Sequence, residues 1–175
     1  MVVTFNPQLA QRVRLLRTHG MEPRYFHSIV GFNSRLDEMQ CCYLLAFLSR
    51  IDEWNARRAR LAALYDALLT GCHGVRLVKR TSESVNHLYV IRARKREQLR
   101  EFLLSRGIGT GVHYPVPLHL QPAFAEAHQG RGSLPVAERA AKEIVSLPLF
   151  PHLKEEEVEQ VAAAIGAFYG FSATR

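Results

Sequence analysis

Ser34-Arg35-Leu36-Asp37-Glu38-Met39 opens the most strongly patterned stretch of the chain, which continues through Ile51-Asp52-Glu53-Trp54-Asn55-Ala56-Arg57-Arg58 to Leu68-Leu69-Thr70-Gly71. Ser34 and Asp37 fit a capping box, in which the hydroxyl takes an amide of the first turn and the carboxylate reaches back. Behind them Leu36, Met39, Tyr43, Phe47, Ile51, Trp54, Leu61, Tyr65 and Leu68 recur at steps of three and four, with one gap. The spacing predicts one continuous helix from about residue 34 to Leu69, stopped by Gly71. At 1.5 Å per residue it would be roughly 50 Å long. A helix of that length overruns a single small core. It is expected to bridge two domains or to line a dimer interface, with Phe47 and Trp54 among the contacts.

Outward from this helix, the elements alternate. Val2-Val3-Thr4 reads as the end of a strand, and Asn6 caps a helix that has Pro7 in its first turn and runs towards Gly20. Residues 21–32 have no period and form a loop. Downstream, a turn-rich stretch leads to His87-Leu88-Tyr89-Val90-Ile91-Arg92, a strand by its β-forming residues. Glu97–Arg106 is a short amphipathic helix closed by Gly107, and Thr110-Gly111-Val112-His113-Tyr114 is a further strand. Ala137–Ile144 is a helix entered through Pro135. Ser146-Leu147-Pro148-Leu149-Phe150-Pro151 is extended, because each proline disfavours helix for the residue before it. A last helix covers residues 155–169. The order implies an α/β or α+β fold, a small sheet covered by helices.

The 175 residues suffice for one domain, or one domain and part of another. Apolar residues make up 47% and charged residues 22%, which excludes wholesale disorder. No apolar run reaches the roughly 20 residues of a spanning helix, so no membrane association is expected. The first residues lack the basic start and apolar core of a signal peptide, which points to the cytoplasm. Cys41 and Cys42 are neighbours and Cys72 stands apart, so reduced, packed thiols are expected rather than a disulfide framework or zinc site. The net charge of +7 raises the possibility of nucleic-acid binding. Yet the arginines are scattered, the densest group (Arg57, Arg58, Arg60) lies in the long helix, and no groove-entering motif accompanies them. A basic surface, or a site for small anions, accounts for the charge more simply.

Two passages carry polar groups in patterns that suit chemistry. Gly31-Phe32-Asn33-Ser34-Arg35 feeds a helix start, where free amides and the macrodipole favour an anion. By spacing alone it is equally a good N-cap. His113-Tyr114-Pro115-Val116-Pro117-Leu118-His119 holds two imidazoles and a phenol on a proline-stiffened loop. His-x5-His is poor metal spacing, so a rim or a structural loop is the reading.

Together these passages resemble the nucleotide-sugar aminotransferases of the DegT/StrS type. The resemblance continues through Asn86-His87-Leu88-Tyr89-Val90-Ile91, Leu120-Gln121-Pro122, Ser146–Pro151 and Glu155-Glu156-Glu157. It implies the C-terminal part of a pyridoxal 5'-phosphate transferase of fold type I: residues 1–30 a remnant of the large cofactor-binding domain, residues 31–175 the long helix and small domain. The implied reaction moves an amino group from glutamate to a nucleotide-linked keto-sugar, in a homodimer whose sites borrow residues across the interface. By the same resemblance Asn33 would reach the cofactor phosphate, His113, Tyr114 and His119 would lie near the sugar nucleotide, and Arg35 near its phosphates.

One departure outweighs the matches. In that family the Schiff-base lysine and the ring-stacking pocket lie upstream of the region matched here. None of Lys79, Lys95, Lys142 and Lys154 stands in a Ser-x-x-Lys-x-x-Gly-like context. No catalytic residue is therefore expected in this chain, and alone it should not transaminate. Cys41-Cys42 also stand where the family usually carries small residues. A non-catalytic binding or regulatory module built on the same small domain is the alternative reading, and a basic nucleic-acid-binding domain is a more distant one.

Overall fold

The computed structural model describes residues 2–81, 83–127 and 130–171. They fall into two compact units, Met1–Arg50 and Ile51–Arg175.

In the first unit, helix α1 (Pro7–Leu16) starts as expected: the Asn6 side chain accepts hydrogen bonds from the amides of Gln8 and Leu9. It stops at Leu16 rather than near Gly20, because residues 18–34 turn back on its end. The Phe32 amide donates to Leu16 O at 2.7 Å, the His19 amide to Phe32 O at 2.9 Å, and the Ser34 amide to Arg17 O at 2.9 Å. Val2–Thr4 form no strand, and Met1 lies outside the described residues. With no neighbouring strand in this unit, β-forming residues have nothing to pair with. Gly20 is the only described residue of the unit that is buried.

The long helix departs from expectation at both its start and its middle. It is two helices, α2 (Glu38–Leu48) and α3 (Ile51–Leu69), separated by Ser49 and Arg50. There the Arg50 amide bonds Phe47 O, a shorter-range bond that tightens the turn. Asp37, not Ser34, is the N-cap of α2: its carboxylate accepts from the Met39 amide at 2.8 Å and the Gln40 amide at 3.2 Å. An ionised acceptor next to the helix start outcompetes a hydroxyl three residues earlier.

The second unit holds the core. Strands β1 (Val75–Leu77), β2 (Tyr89–Ala93) and β3 (Ile144–Leu147) form an antiparallel sheet in the order β1-β2-β3. β1 sits in the stretch read as turns; three residues are too few to show a period-2 pattern. Strand β2 alternates: Tyr89, Ile91 and Ala93 are buried while Val90 and Arg92 are half-buried. Its buried face meets Leu61, Tyr65 and Leu69 of α3, Leu99 and Leu103 of α4 (Arg96–Leu104), and Val158 and Ile165 of α6 (Glu155–Tyr169). Spacings of four and seven put each set on one helix face. Helix α3 packs along α6, and α4 along α6 and β2. The Glu157 carboxylate accepts the Lys154 amide at 2.8 Å, fixing the α6 start.

On the other face of the sheet lies α5 (Pro135–Glu143), which runs directly into β3. The strand expected over residues 110–114 is reduced to a bridge between Gly111 and Ser146. Pro115 and Pro117 lack the amides a longer ladder requires. Cys72 is buried as expected, Cys41 half-buried and Cys42 exposed, and all three thiols are free. No helix among the described residues is long and apolar enough to cross a membrane.

Candidate functional site

Asn33 and Arg35 sit on the strand-like segment that returns along the end of α1. Thr18 and Asn33 form an antiparallel bridge, which fixes the backbone beneath the Asn33 side chain. Gly31 makes the close approach possible: a Cβ there would lie 2.4 Å from Gly20 N and 2.7 Å from Leu16 O. Asn33 Oδ1 accepts from Arg35 Nε at 3.2 Å. That leaves the Asn33 NH2 group and the outer guanidinium nitrogens as exposed donors, two groups suited to phosphate oxygens. The helix amides expected to assist them are not available. Asp37 occupies the Met39 and Gln40 amides and brings its own negative charge. Any anion held here rests on side chains, not on the helix start.

In the second unit, residues 111–121 start at the free edge of β3. Gly111 and Ser146 exchange both backbone hydrogen bonds, at 3.0 and 2.8 Å. His113 then folds back so that its Nδ1 lies 2.8 Å from Ser146 Oγ. A Cβ on Gly111 would lie 2.6 Å from His113 Cε1, so any larger residue there would displace this ring. The Tyr114 ring stands edge-on to His113, with centroids 5.6 Å apart, and is exposed. With Nδ1 on Ser146, His113 Nε2 is the nitrogen left for a ligand.

His119 is placed differently. Its side chain is 5% exposed and its Nε2 lies 3.2 Å from Glu138 Oε1, which also accepts the Gly132 amide at 2.7 Å. His119 thus ties the loop to α5. A groove of about 990 Å³ opens beside it, floored by Ala137, Ala140 and Ala141 of α5 and walled by Tyr114, Leu118 and Phe124. Small residues at steps of three and four leave one face of α5 open to a flat apolar group.

Glu138 and Ser146 orient the two histidines, and neither was among the site residues expected from the sequence, although Ser146 opens one of the runs that carry the resemblance. They lie 19 and 33 residues from their partners, and nothing local marks either one. The Gly132 amide, and after it His119, hold the Glu138 carboxyl below the usual carboxylate range. A lowered folded pKa means the contact stabilises at neutral pH and is lost as the pH falls through that lowered value. Glu138→Gln should therefore be less stable than the parent near pH 7, with the difference shrinking in acid. Thermal melts at neutral and acidic pH check this; a gap that is constant with pH would rule it out.

All four lysines, Lys79, Lys95, Lys142 and Lys154, are exposed, so none is a desolvated amine. Among the described residues, no three His, Cys, Asp or Glu side chains gather as a metal site would require.

Known proteins resemble this chain along most of its length. The chain is 45% identical to a pleiotropic regulatory protein of Geobacillus stearothermophilus, over 97% of its own length and 46% of that protein's. It is also 45% identical to the dTDP-3-amino-3,4,6-trideoxy-alpha-D-glucose transaminase of Streptomyces venezuelae, over 94% of the chain and 44% of the relative. The crystal structure of S. venezuelae DesV superposes with a TM-score of 0.90 at 43% identity, covering 97% of this chain and 46% of that one. The chain thus spans about half the length of the curated relatives it matches. A family model matches residues 1–166, and by that match and these identities the chain belongs to the DegT/DnrJ/EryC1/StrS aminotransferase family.

Proposed function

We propose that this chain supplies the carboxy-terminal half of a pyridoxal-phosphate-dependent aminotransferase acting on a nucleotide-linked keto-sugar, with glutamate as amino donor. The observation that carries the reading is the Asn33–Arg35 pair, two exposed donors on one rigid segment in a chain of this family. The pair fits a phosphate monoester: Asn33 Nδ2 donates one bond and the Arg35 guanidinium supplies charge. When bound, the cofactor acts as the electron sink for amino transfer. His113, oriented by Ser146, presents Nε2 as a proton carrier or donor towards the sugar nucleotide, and the Tyr114 phenol lines the same rim. His119 acts at one remove, holding the loop through Glu138. Residues 1–30 are read as the tail of the cofactor-binding domain.

The four exposed lysines support a division of labour in which the amine comes from another part of the complete enzyme. The first unit points the same way for assembly. Met39, Tyr43, Leu45 and Leu48 of α2 are each more than 60% exposed, which is apolar surface on several sides of one helix. A second copy of the chain is the proposed cover, giving a homodimer.

A chimera tests this, with this chain replacing the matching half of the S. venezuelae transaminase. It should sediment as a dimer and aminate a keto-sugar nucleotide, whereas this chain alone with pyridoxal phosphate should give no turnover and no stoichiometric aldimine at a single lysine, only scattered borohydride-fixed labelling of its exposed amines. Asn33→Ala in the chimera should weaken cofactor retention by about 1–3 kcal/mol, the loss of a hydrogen bond to a charged group. A folded chimera without turnover, or turnover by this chain alone, would sink the reading.

A further inference from the structure

The outer face of the sheet carries a second concavity, separate in its lining from the groove of His119. It is about 340 Å³ in volume and is lined by Arg76, Arg92, Arg94 and Arg139, together with His73 and Glu143. Arg76 and Arg92 are directly opposite one another in the β1–β2 register. Like charges in that position destabilise a sheet. Glu143 relieves only one of them: its Oε2 takes Arg92 Nε at 2.8 Å and Arg92 Nη2 at 2.7 Å. Among the described residues, the guanidiniums of Arg76, Arg94 and Arg139 have no carboxylate partner. Three elements, β1, the end of β2 and α5, thus aim uncompensated positive charge into one hollow. A cost of this kind, with no return inside the fold, marks a place where a ligand supplies the return.

The composition of the hollow says which ligand. All four of its permanent cations are arginine, and none is lysine. Guanidinium forks bind planar pairs of oxygens two at a time, as phosphate and carboxylate present them. The Arg92 fork is held by Glu143, so Arg76, Arg94 and Arg139 supply the free forks, more than a single phosphoryl group needs. A hollow of this size, at the low end of ligand sites, admits such a group but not a folded partner. We propose that the Arg76–Arg92–Arg94–Arg139 pocket binds a small anion carrying two adjacent phosphoryl groups, at a site distinct in its residues from Asn33 and Arg35. The proposal does not rest on the aminotransferase reading.

Inorganic pyrophosphate is the probe, titrated into the 175-residue chain by calorimetry at low ionic strength. Three proteins are compared: the parent, Arg76→Ala/Arg139→Ala and Arg76→Lys/Arg139→Lys. Both positions are exposed, so the variants should keep the parent circular dichroism. The parent should show one saturable site, weakened at least about tenfold in the alanine pair, the scale for a lost charge-assisted contact. The lysine pair should fall between, because it keeps the charge and loses the fork. The proposal is overturned by no saturable binding, by equal affinity in the alanine pair, or by a lysine pair equal to the parent. It is equally overturned if Arg35→Ala removes the heat instead, or if a Glu-rich peptide outcompetes pyrophosphate, which would make the hollow a protein-docking surface.

Discussion

Tyr65→Ala is expected to cost about 3–5 kcal/mol of stability, the range for removing a buried aromatic side chain and leaving its cavity. Tyr65 is 0% exposed, and its ring stacks on Tyr89 with centroids 4.6 Å apart and an interplanar angle of 23°. Its hydroxyl donates to Pro148 O at 3.0 Å, which ties α3 to the segment after β3. Truncation therefore removes packing, a stacking partner and a donor at once. Tyr65→Phe isolates the last term and should cost about 1 kcal/mol. Tyr89 extends the same cluster: its hydroxyl donates to Asp66 Oδ1 at 2.8 Å, Asp66 pairs with Arg80, and the Arg80 guanidinium lies 4.8 Å from the Tyr89 ring centre. Urea unfolding followed by circular dichroism measures both variants. A loss for Tyr65→Ala no larger than that for Tyr65→Phe would show that the core is not organised around the ring pair. Burial, and secondarily the charge of Glu157, push the Tyr65 phenol well above its ordinary value. That contribution is present below the unfolded tyrosine pKa and is lost as the pH rises above it, so alkaline unfolding should come later in Tyr65→Phe.

Gly31→Ala is the second large effect, and it falls on the other unit. The new methyl would meet backbone atoms, Gly20 N at 2.4 Å, the His19 carbonyl carbon at 2.6 Å and Leu16 O at 2.7 Å, none of which can rotate away. Overpacking of this sort costs about 1–3 kcal/mol. Relief requires residues 31–34 to lift off the end of α1, breaking the Phe32 amide bond to Leu16 O and the Thr18–Asn33 bridge. Asn33 and Arg35 would then lose their fixed base. In the chimera described above, Gly31→Ala should therefore reduce cofactor retention at least as much as Asn33→Ala, without touching a donor group. Amide exchange at Phe32 and Ser34 reports the same event directly, and unchanged protection there would show that the segment absorbs the methyl.

What the chain determined by itself was whatever depends on neighbours in sequence. The Asn6 cap, the stop after Leu69, the strand around Tyr89–Ala93 and the helices after Lys95, Leu134 and Lys154 follow from propensity, capping and periodicity over a few residues, and each was legible. The family could be read the same way, because its short runs lie in order along one chain. The break of the long helix at Ser49–Arg50 and the three-residue strand β1 were not legible, and three further features turn on a competition or a long-range contact. The start of α2 was decided by Asp37 outcompeting Ser34, both plausible caps in one window. Thr110–Tyr114 has strand-forming residues but finds only one partner, Ser146, before two prolines end the ladder. The setting of the site residues depends on Ser146 for His113, on Glu138 for His119 and on the turn at Gly31 for Asn33. Those partners lie up to 33 residues away, and only the packing of β3, α5 and α1 brings them within hydrogen-bond reach. The same holds for the arginine pocket. Scattered along the sequence its members look like an ordinary basic surface, and it is the β1–β2 register that puts Arg76 opposite Arg92, because pairing between strands carries no local signal of which residue faces which.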